Sequence, residues 1–314
     1  MKTFLVGGAV RDILMGRVPH DRDYLVIDTD KDYLIQQGFI PVGNAFTIFL
    51  HPDTKEEYTL AQDLMTDLER RDLTINAMAM DSENKVIDPF NGKLDLEAKV
   101  LRHVSAETFR QDPLRIYRVG RFKAAFPEFT IHPETMILNK SLTQEENFQN
   151  LPGERIFREL RKALQTDVPY LFFKFLKDLD ALEVHFAGVN LFHLDEVKDE
   201  KCRYAMLLND LSLSEIEDMS SRLLVPNDWL KIALALKHFK SVAPETLVDF
   251  FYKIDAFRNP HLVEEVVSCT NTSLLKSFNS IKDISKKDIL SDLEGKDIAS
   301  AIRHLRELIV KEMK

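Results

Sequence analysis

Gly7-Gly8-Ala9-Val10-Arg11-Asp12, followed closely by Asp21-Arg22-Asp23-Tyr24-Leu25-Val26-Ile27, sets a double-glycine turn just ahead of an acidic strand. Its first part leaves an apolar, strand-like run at residues 3–6 and enters a helical run at 10–15. A double glycine at such a junction lets backbone N–H groups approach an anion at a helix N-terminus, and Arg11 adds a charge-assisted donor for phosphate. The same pattern also makes an ordinary tight turn, so alone it decides nothing about function. In the second part, Asp21 and Asp23 stand two apart on an extended segment. Their carboxylates therefore point to one side, where a hard cation or a pair of them can be held. A solvated acidic loop is the alternative for an isolated pair. Asp28 and Asp30 repeat the spacing beyond the strand and read as a turn and a helix cap. Order separates the pairs, because only Asp21 and Asp23 directly follow the Gly-Gly helix.

Working outward, residues 1–103 alternate short β-like runs (3–6, 24–27, 47–50 and 57–61) with helical segments punctuated by Gly, Pro, Asn and Asp. From about residue 105 the apolar positions fall at helical spacing, as in Leu114, Tyr117 and Phe122, then Ile156, Leu160 and Leu164. The expected class is α+β, a mixed sheet with helices followed by an all-helical remainder. Neither internal repeats nor low-complexity tracts interrupt it.

The chain has 314 residues, 45% hydrophobic and 30% charged, enough for more than one core. The apolar runs are too short to cross a bilayer, and Met1-Lys2-Thr3-Phe4 does not open a signal-peptide core, so the expected compartment is the cytoplasm. Cys202 and Cys269 lie far apart in helix-like sequence and read as buried thiols rather than as a disulfide framework or a zinc site. A net charge of −9 argues against coating nucleic acid by bulk charge. Local basic concentrations remain, at Arg102, Arg110, Arg115, Arg118, Arg121 and Lys123 and again at Arg155, Arg158, Arg161 and Lys162.

Gly-Gly followed by Asp-x-Asp on a strand resembles the catalytic core of the DNA polymerase beta superfamily of nucleotidyltransferases. Arg70-Arg71-Asp72-Leu73-Thr74-Ile75-Asn76-Ala77 narrows this, because it resembles the RRDxTINA signature of bacterial CCA-adding enzymes and the related poly(A) polymerases. An N-capped amphipathic helix accounts for its apolar positions Leu73, Ile75 and Met78, but not for two arginines and an asparagine together. Gln111-Asp112-Pro113-Leu114-Arg115 with Arg118 is similar to the family's (E/D)DxxR motif, with Gln111 where an acid is usual. Glu154-Arg155 through Glu159-Leu160 resembles its ERxxxEL helix, and Asp88-Pro89-Phe90-Asn91-Gly92 its head-to-neck segment with a turn at Asn91-Gly92.

The resemblance implies a template-free polymerase that extends the 3′ end of tRNA, with CTP and ATP as substrates, Mg2+ as cofactor and no membrane partner. It implies a polymerase-beta-like catalytic head at 1–104, a helical neck with the base-reading motif at 105–165, and a tRNA-binding body and tail at 166–314. Asp21 and Asp23 are the expected catalytic metal ligands, with Glu57 at about the position of a third carboxylate. Gly8, Arg11, Arg71, Asn76, Asp112, Arg115 and Arg118 are the expected nucleotide-binding residues. Asp112 and Arg115, three apart at a helix start, are expected to share a face and imitate a template base. The match is closest to enzymes whose C-terminal half carries an HD phosphohydrolase domain. Here Asn209-Asp210 stands where His-Asp would be, and His185, His193, His238, His261 and His304 show no ligand spacing. The loop between the strand at 57–61 and the signature is shortened to residues 62–69. In the family that loop is linked to the passage from CTP to ATP, so addition of CC alone and of full CCA both stay open. A poly(A) polymerase of the same family and a catalytically silent RNA-binding relative are the competing readings.

Overall fold

The computed structural model describes residues 1–42, 47–192, 194–240, 247–270, 274–288 and 296–312. It divides into two compact units, one of Met1–Leu151 with Leu171–Leu182, the other of Pro152–Tyr170 with Glu183–Lys314.

The first unit is built on a seven-stranded sheet of order β3-β4-β5-β2-β1-β6-β7. Its strands are β1 (Lys2–Val6), β2 (Asp23–Ile27), β3 (Ile40–Val42), β4 (Ile48–Leu50), β5 (Glu57–Leu60), β6 (Ala79–Met80) and β7 (Val86–Ile87). Within it β2 and β5 run parallel and the other described pairs antiparallel. Leu25 and Val26 are both fully buried, so β2 is covered on both faces. Leu25 packs with Phe4, Val6, Leu68 and Ala79, whereas Val26 packs with Leu34, Phe39 and Phe49. Each such side chain contributes about 1.5–3 kcal/mol relative to exposure. Register then fixes the site: Val6 faces Asp23 across β1 and β2, and Asp23 faces Glu57 across β2 and β5. The end of β1, the acidic start of β2 and the start of β5 thereby share one edge.

The helices of this unit are α1 (Gly8–Leu14), α2 (Lys31–Gln36), α3 (Leu64–Glu69), α4 (Gly92–Glu97), α5 (Ala106–Gln111), α6 (Arg115–Ala125), α7 (Pro133–Leu142) and α8 (Glu146–Gln149). Asp30 and Asp63 cap α2 and α3 by accepting from the N–H groups of Tyr33 and Thr66, as expected of Asp at these positions. Asn91 takes the left-handed conformation at the start of α4. Two short parallel strands, β8 (Val100–Leu101) and β9 (Thr130–Ile131), place a strand where a purely helical neck was expected. Two residues are too few to leave a period in the sequence. Buried Tyr117 on α6 stacks on Phe148 at 5.4 Å.

The second unit is helical among its described residues, with α9 (Gly153–Leu164) and, after α10 (Tyr170–Asp178), which belongs almost wholly to the first unit, α11 (Leu182–His185), α12 (Glu200–Leu207), α13 (Leu213–Arg222), α14 (Asn227–Lys240), α15 (Leu247–Lys253), α16 (His261–Thr270), α17 (Leu274–Asn279) and α18 (Lys296–Glu312). Phe157, Tyr204 and Trp229 form an aromatic triangle in its core, with centroids 5.2–6.3 Å apart. Buried Arg203 donates to the carbonyls of Leu164 and Thr166, completing the last turn of α9. The expectation of two thiols is corrected here, since Cys202 and Cys269 form a disulfide between α12 and α16. Packing of those helices brings Cα atoms 67 residues apart in sequence to 5.1 Å, a proximity that spacing along the chain does not reveal.

Candidate active site

At the end of β1 the chain turns through Gly7, whose φ is +72°. A Cβ there would lie 2.3 Å from Nη1 of Arg71, so glycine is what lets this guanidinium lie against the turn. Arg71 is held in turn by Asp67, at 2.9 and 3.1 Å. Arg11, one turn into α1, donates through Nε and Nη2 to Asp12 and through Nη1 to the Asn76 side-chain oxygen at 2.7 Å. Asn76 passes the chain on, its Nδ2 donating to Asp72 at 2.9 Å, and Asp72 accepts from Arg118 at 2.7 Å. One connected network therefore joins α1, the Arg70–Asn76 segment and α6.

Asp72 is the centre of that network and is only 2% exposed. Burial alone would push its carboxyl up, but the Arg118 charge and the hydrogen bonds from Asn76, the Leu73 N–H and Arg118 outweigh it and hold the group at about 2. Sequence pattern alone does not single out the Asp72, Asp67 and Asp12 carboxylates that seat the arginines. For two of them a local signal exists, Asp67 being four residues before Arg71 and Asp12 adjacent to Arg11.

The acidic pair lies at the head of β2. Asp21 and Asp23 are exposed, and with Glu57, His20 and Arg22 they line an open depression. Partial burial pushes the Asp23 carboxyl up, the charge of Arg71 opposes this, and the neighbouring Asp21 adds to the rise. A cation placed there would relieve both the cost of burying the Asp23 charge and the repulsion from Asp21. Among the described residues no three His, Cys, Asp or Glu side chains form a ready metal cluster. Two carboxylates on an open surface nevertheless suit a hard ion that completes its shell with water and phosphate oxygens, as Mg2+ does.

Two local readings are corrected. The Arg70–Ala79 segment is not a helix: Thr74–Asn76 form a single 3-10 turn that feeds the short strand β6. Residues 72–80 are all buried, because the turn is packed from several sides. The Thr74 carbonyl would lie 2.1 Å from a Cβ on Gly92. Asp112 and Arg115 likewise do not share a helix face. Asp112 caps the end of α5 with φ −139° and ψ 85°, since Pro113 disfavours the helical conformation in the residue before it. Arg115 opens α6, and its Nη2 donates to the Arg70 carbonyl at 2.6 Å, joining this motif to the signature segment. In the second unit, Asp210 accepts from Asn190 at 2.5 Å and Lys237 donates to the Asn209 carbonyl at 2.9 Å. His193 lies outside the described residues.

Residues 46–102 match the family described as "Poly A polymerase head domain", and residues 128–191 the one described as "Probable RNA and SrmB- binding site of polymerase A". The chain is 32% identical to the multifunctional CCA protein of Acinetobacter baylyi, over 100% of this chain and 98% of that one. It belongs to the CCA-adding enzyme family. The CCA-adding enzyme of Coxiella burnetii is 35% identical over 98% of this chain and 94% of its own. A CCA-adding enzyme of Bacillus stearothermophilus, solved in complex with CTP, shares the fold with a TM-score of 0.73 at 22% identity, over 99% of this chain and 89% of that one. Membership in the CCA-adding family makes the chain a nucleotidyltransferase. The alignment to the Acinetobacter relative runs over 404 positions against 314 residues here, so long gaps fall within this chain. Among the described residues no helix is long and apolar enough to cross a membrane.

Proposed function

We propose that the chain transfers CMP from CTP to the 3′-hydroxyl of tRNA without a nucleic-acid template, adding two C residues efficiently and the terminal A from ATP slowly or not at all. Supporting this reading is the bonded network from Arg11 through Asn76 and Asp72 to Arg118, which gathers side chains up to 107 positions apart in sequence. The 3′-oxygen attacks the α-phosphorus of the nucleotide, the bond to the β-phosphate breaks, and pyrophosphate leaves. Asp21 and Asp23 are the residues that would hold Mg2+, with Glu57 on the neighbouring strand in reserve. Bound there, the cation would acidify the 3′-hydroxyl and offset charge on the triphosphate. The Gly8 turn, Arg11 and Arg71 face the phosphates. Asn76, oriented by Asp72, faces the sugar, and Arg118 braces the base-reading segment. Asp112 accepts from an exocyclic amino group and Arg115 donates to ring acceptors.

In this reading residues 1–104 are the catalytic head, 105–165 the neck and 166–314 a tRNA-binding body, in a cytoplasmic enzyme. The limit on A addition comes from the segment after β5. Only residues 61–63 separate it from α3, which is capped by Asp63 and ends at Arg70, directly against the signature. A reader of two bases needs two pocket geometries and a segment free to move between them, and a capped helix leaves little slack. The test is to give tRNA lacking its last three nucleotides CTP, ATP or both and to resolve products to one nucleotide. Two added nucleotides with CTP, and the same length with both substrates, are expected. Rapid conversion of CC to CCA overturns the limit on A, and a long A tract overturns the tRNA reading in favour of a poly(A) polymerase.

A further inference from the structure

Most arginines around the candidate site are already occupied. Arg11 is held by Asp12 and Asn76, Arg71 by Asp67, and Arg118 by Asp72. Arg17 and Arg22 differ: both are exposed, and among the described residues neither makes a side-chain hydrogen bond or an ion pair. Arg17 is nevertheless placed rather than loose. Its N–H closes the end of α1 on the Asp12 carbonyl at 2.8 Å, one residue after Gly16 turns the chain with φ +70°. Its guanidinium lies 5.4 Å from the centre of the Phe126 ring, which is itself 4% exposed. Arg11 lies 5.1 Å from the same ring, so Phe126 seats two guanidiniums, one neutralised and one not.

An arginine fixed by its backbone and by a ring, with its donors directed to no partner among the described residues, has lost part of the freedom that binding would otherwise cost. Its surroundings select the ligand. Between Arg17 and the acidic pair lie Val18, whose exposure is 91%, and exposed His20. Residues 17–22 are a largely exposed strip of chain with an exposed arginine at each end, running into the acidic pair at the head of β2. In a chain of net charge −9, an RNA backbone needs such local cations to approach a surface bearing Asp21, Asp23 and Glu57.

We propose that Arg17, with Arg22 at the other end of the strip, binds a phosphodiester near the 3′ end of the acceptor RNA. Arg17 thus guides the primer, while Arg11 and Arg71 serve the nucleotide. The assignment rests on the nucleotidyltransferase reading above, but its primary test does not require catalysis. Binding of tRNA lacking its last three nucleotides to wild type, Arg17→Lys and Arg17→Gln is measured over a range of salt, and KM for tRNA and for CTP separately. Arg17→Gln is expected to weaken RNA binding about tenfold and to reduce the slope of log K against log salt by about 1, as for loss of one phosphate contact. Arg17→Lys keeps the charge but loses the fork, and should fall between. KM for tRNA should rise in parallel while KM for CTP moves less than about twofold, the spread of an uninvolved site. A rise confined to the KM for CTP assigns the phosphate to the nucleotide and overturns the proposal, as does an unchanged RNA affinity and salt slope. Should wild type add no CMP, the catalytic reading fails, yet the binding measurement still decides the role of Arg17.

Discussion

Replacing Asp72 by Asn probes the network at its centre. The substitution preserves shape and one acceptor, so the Leu73 N–H at 2.8 Å keeps a partner, but the charge that holds Arg118 at 2.6 Å is gone. A carboxyl at about 2 instead of its ordinary 3.8, at about 1.36 kcal/mol per unit, corresponds to roughly 2–3 kcal/mol favouring the ionised form in the folded protein. Breaking a fully buried pair costs about 3–5 kcal/mol. The Arg118 side chain is 34% exposed and can recover some hydration, which places the expectation toward the lower value. If that loss falls on the orientation of Asn76 and Arg118, kcat/KM for CTP drops about 30- to 150-fold. Steady-state CTP kinetics at saturating tRNA measure it, and a double-mutant cycle with Arg118→Ala should show strong non-additivity. The sign with pH follows from a depressed folded-state value. The stabilisation is fully present above the unfolded value near 4 and is lost as pH falls toward 2. Wild type and Asp72→Asn should therefore differ in unfolding free energy at pH 6 and converge near pH 2. A variant with CTP kinetics within about threefold of wild type but lowered stability would refute the link from Asp72 to the site.

Gly7→Ala should lower activity by displacing Arg71, because the new methyl would lie 2.3 Å from its Nη1 and φ is +72°. Adding Arg71→Ala to it should cost little more, which the rate of CMP incorporation will reveal. Asp112→Ala or Arg115→Ala should relax base choice by about 1–3 kcal/mol, admitting UTP or GTP in a four-nucleotide competition. Unchanged selectivity would reduce that pair to a structural link between α5, α6 and the Arg70 carbonyl.

What could be read in the sequence was local. The four strands at 3–6, 24–27, 47–50 and 57–61 appear within a residue of those positions, and Asp30 caps a helix, because alternation and capping are decided by immediate neighbours. The Arg70–Asn76 segment is conspicuous in the sequence, but its helical pattern is realised as a 3-10 turn. Apolar spacing cannot distinguish a helix from a 3-10 turn buried on several sides. The ion pair of Asp72 with Arg118, 46 residues away, and the bond from Arg11 to Asn76, 65 residues away, have no local signal. The break between Asp112 and Arg115 is legible in Pro113, which disfavours a helical residue before it. The Cys202–Cys269 pairing depends on helix packing that no local pattern encodes.

The most direct measurement of the central claim is incorporation of labelled CMP into tRNA lacking its 3′ end, by wild type, Asp21→Asn and Asp23→Asn, as Mg2+ is titrated. Both carboxylates lie exposed at the head of β2, so the variants should fold as wild type does, which circular dichroism checks. Wild type should add CMP in a Mg2+-dependent manner and neither variant above background, even at saturating Mg2+. Near-normal incorporation by Asp23→Asn, or incorporation by wild type that survives complete chelation of divalent ions, contradicts that claim.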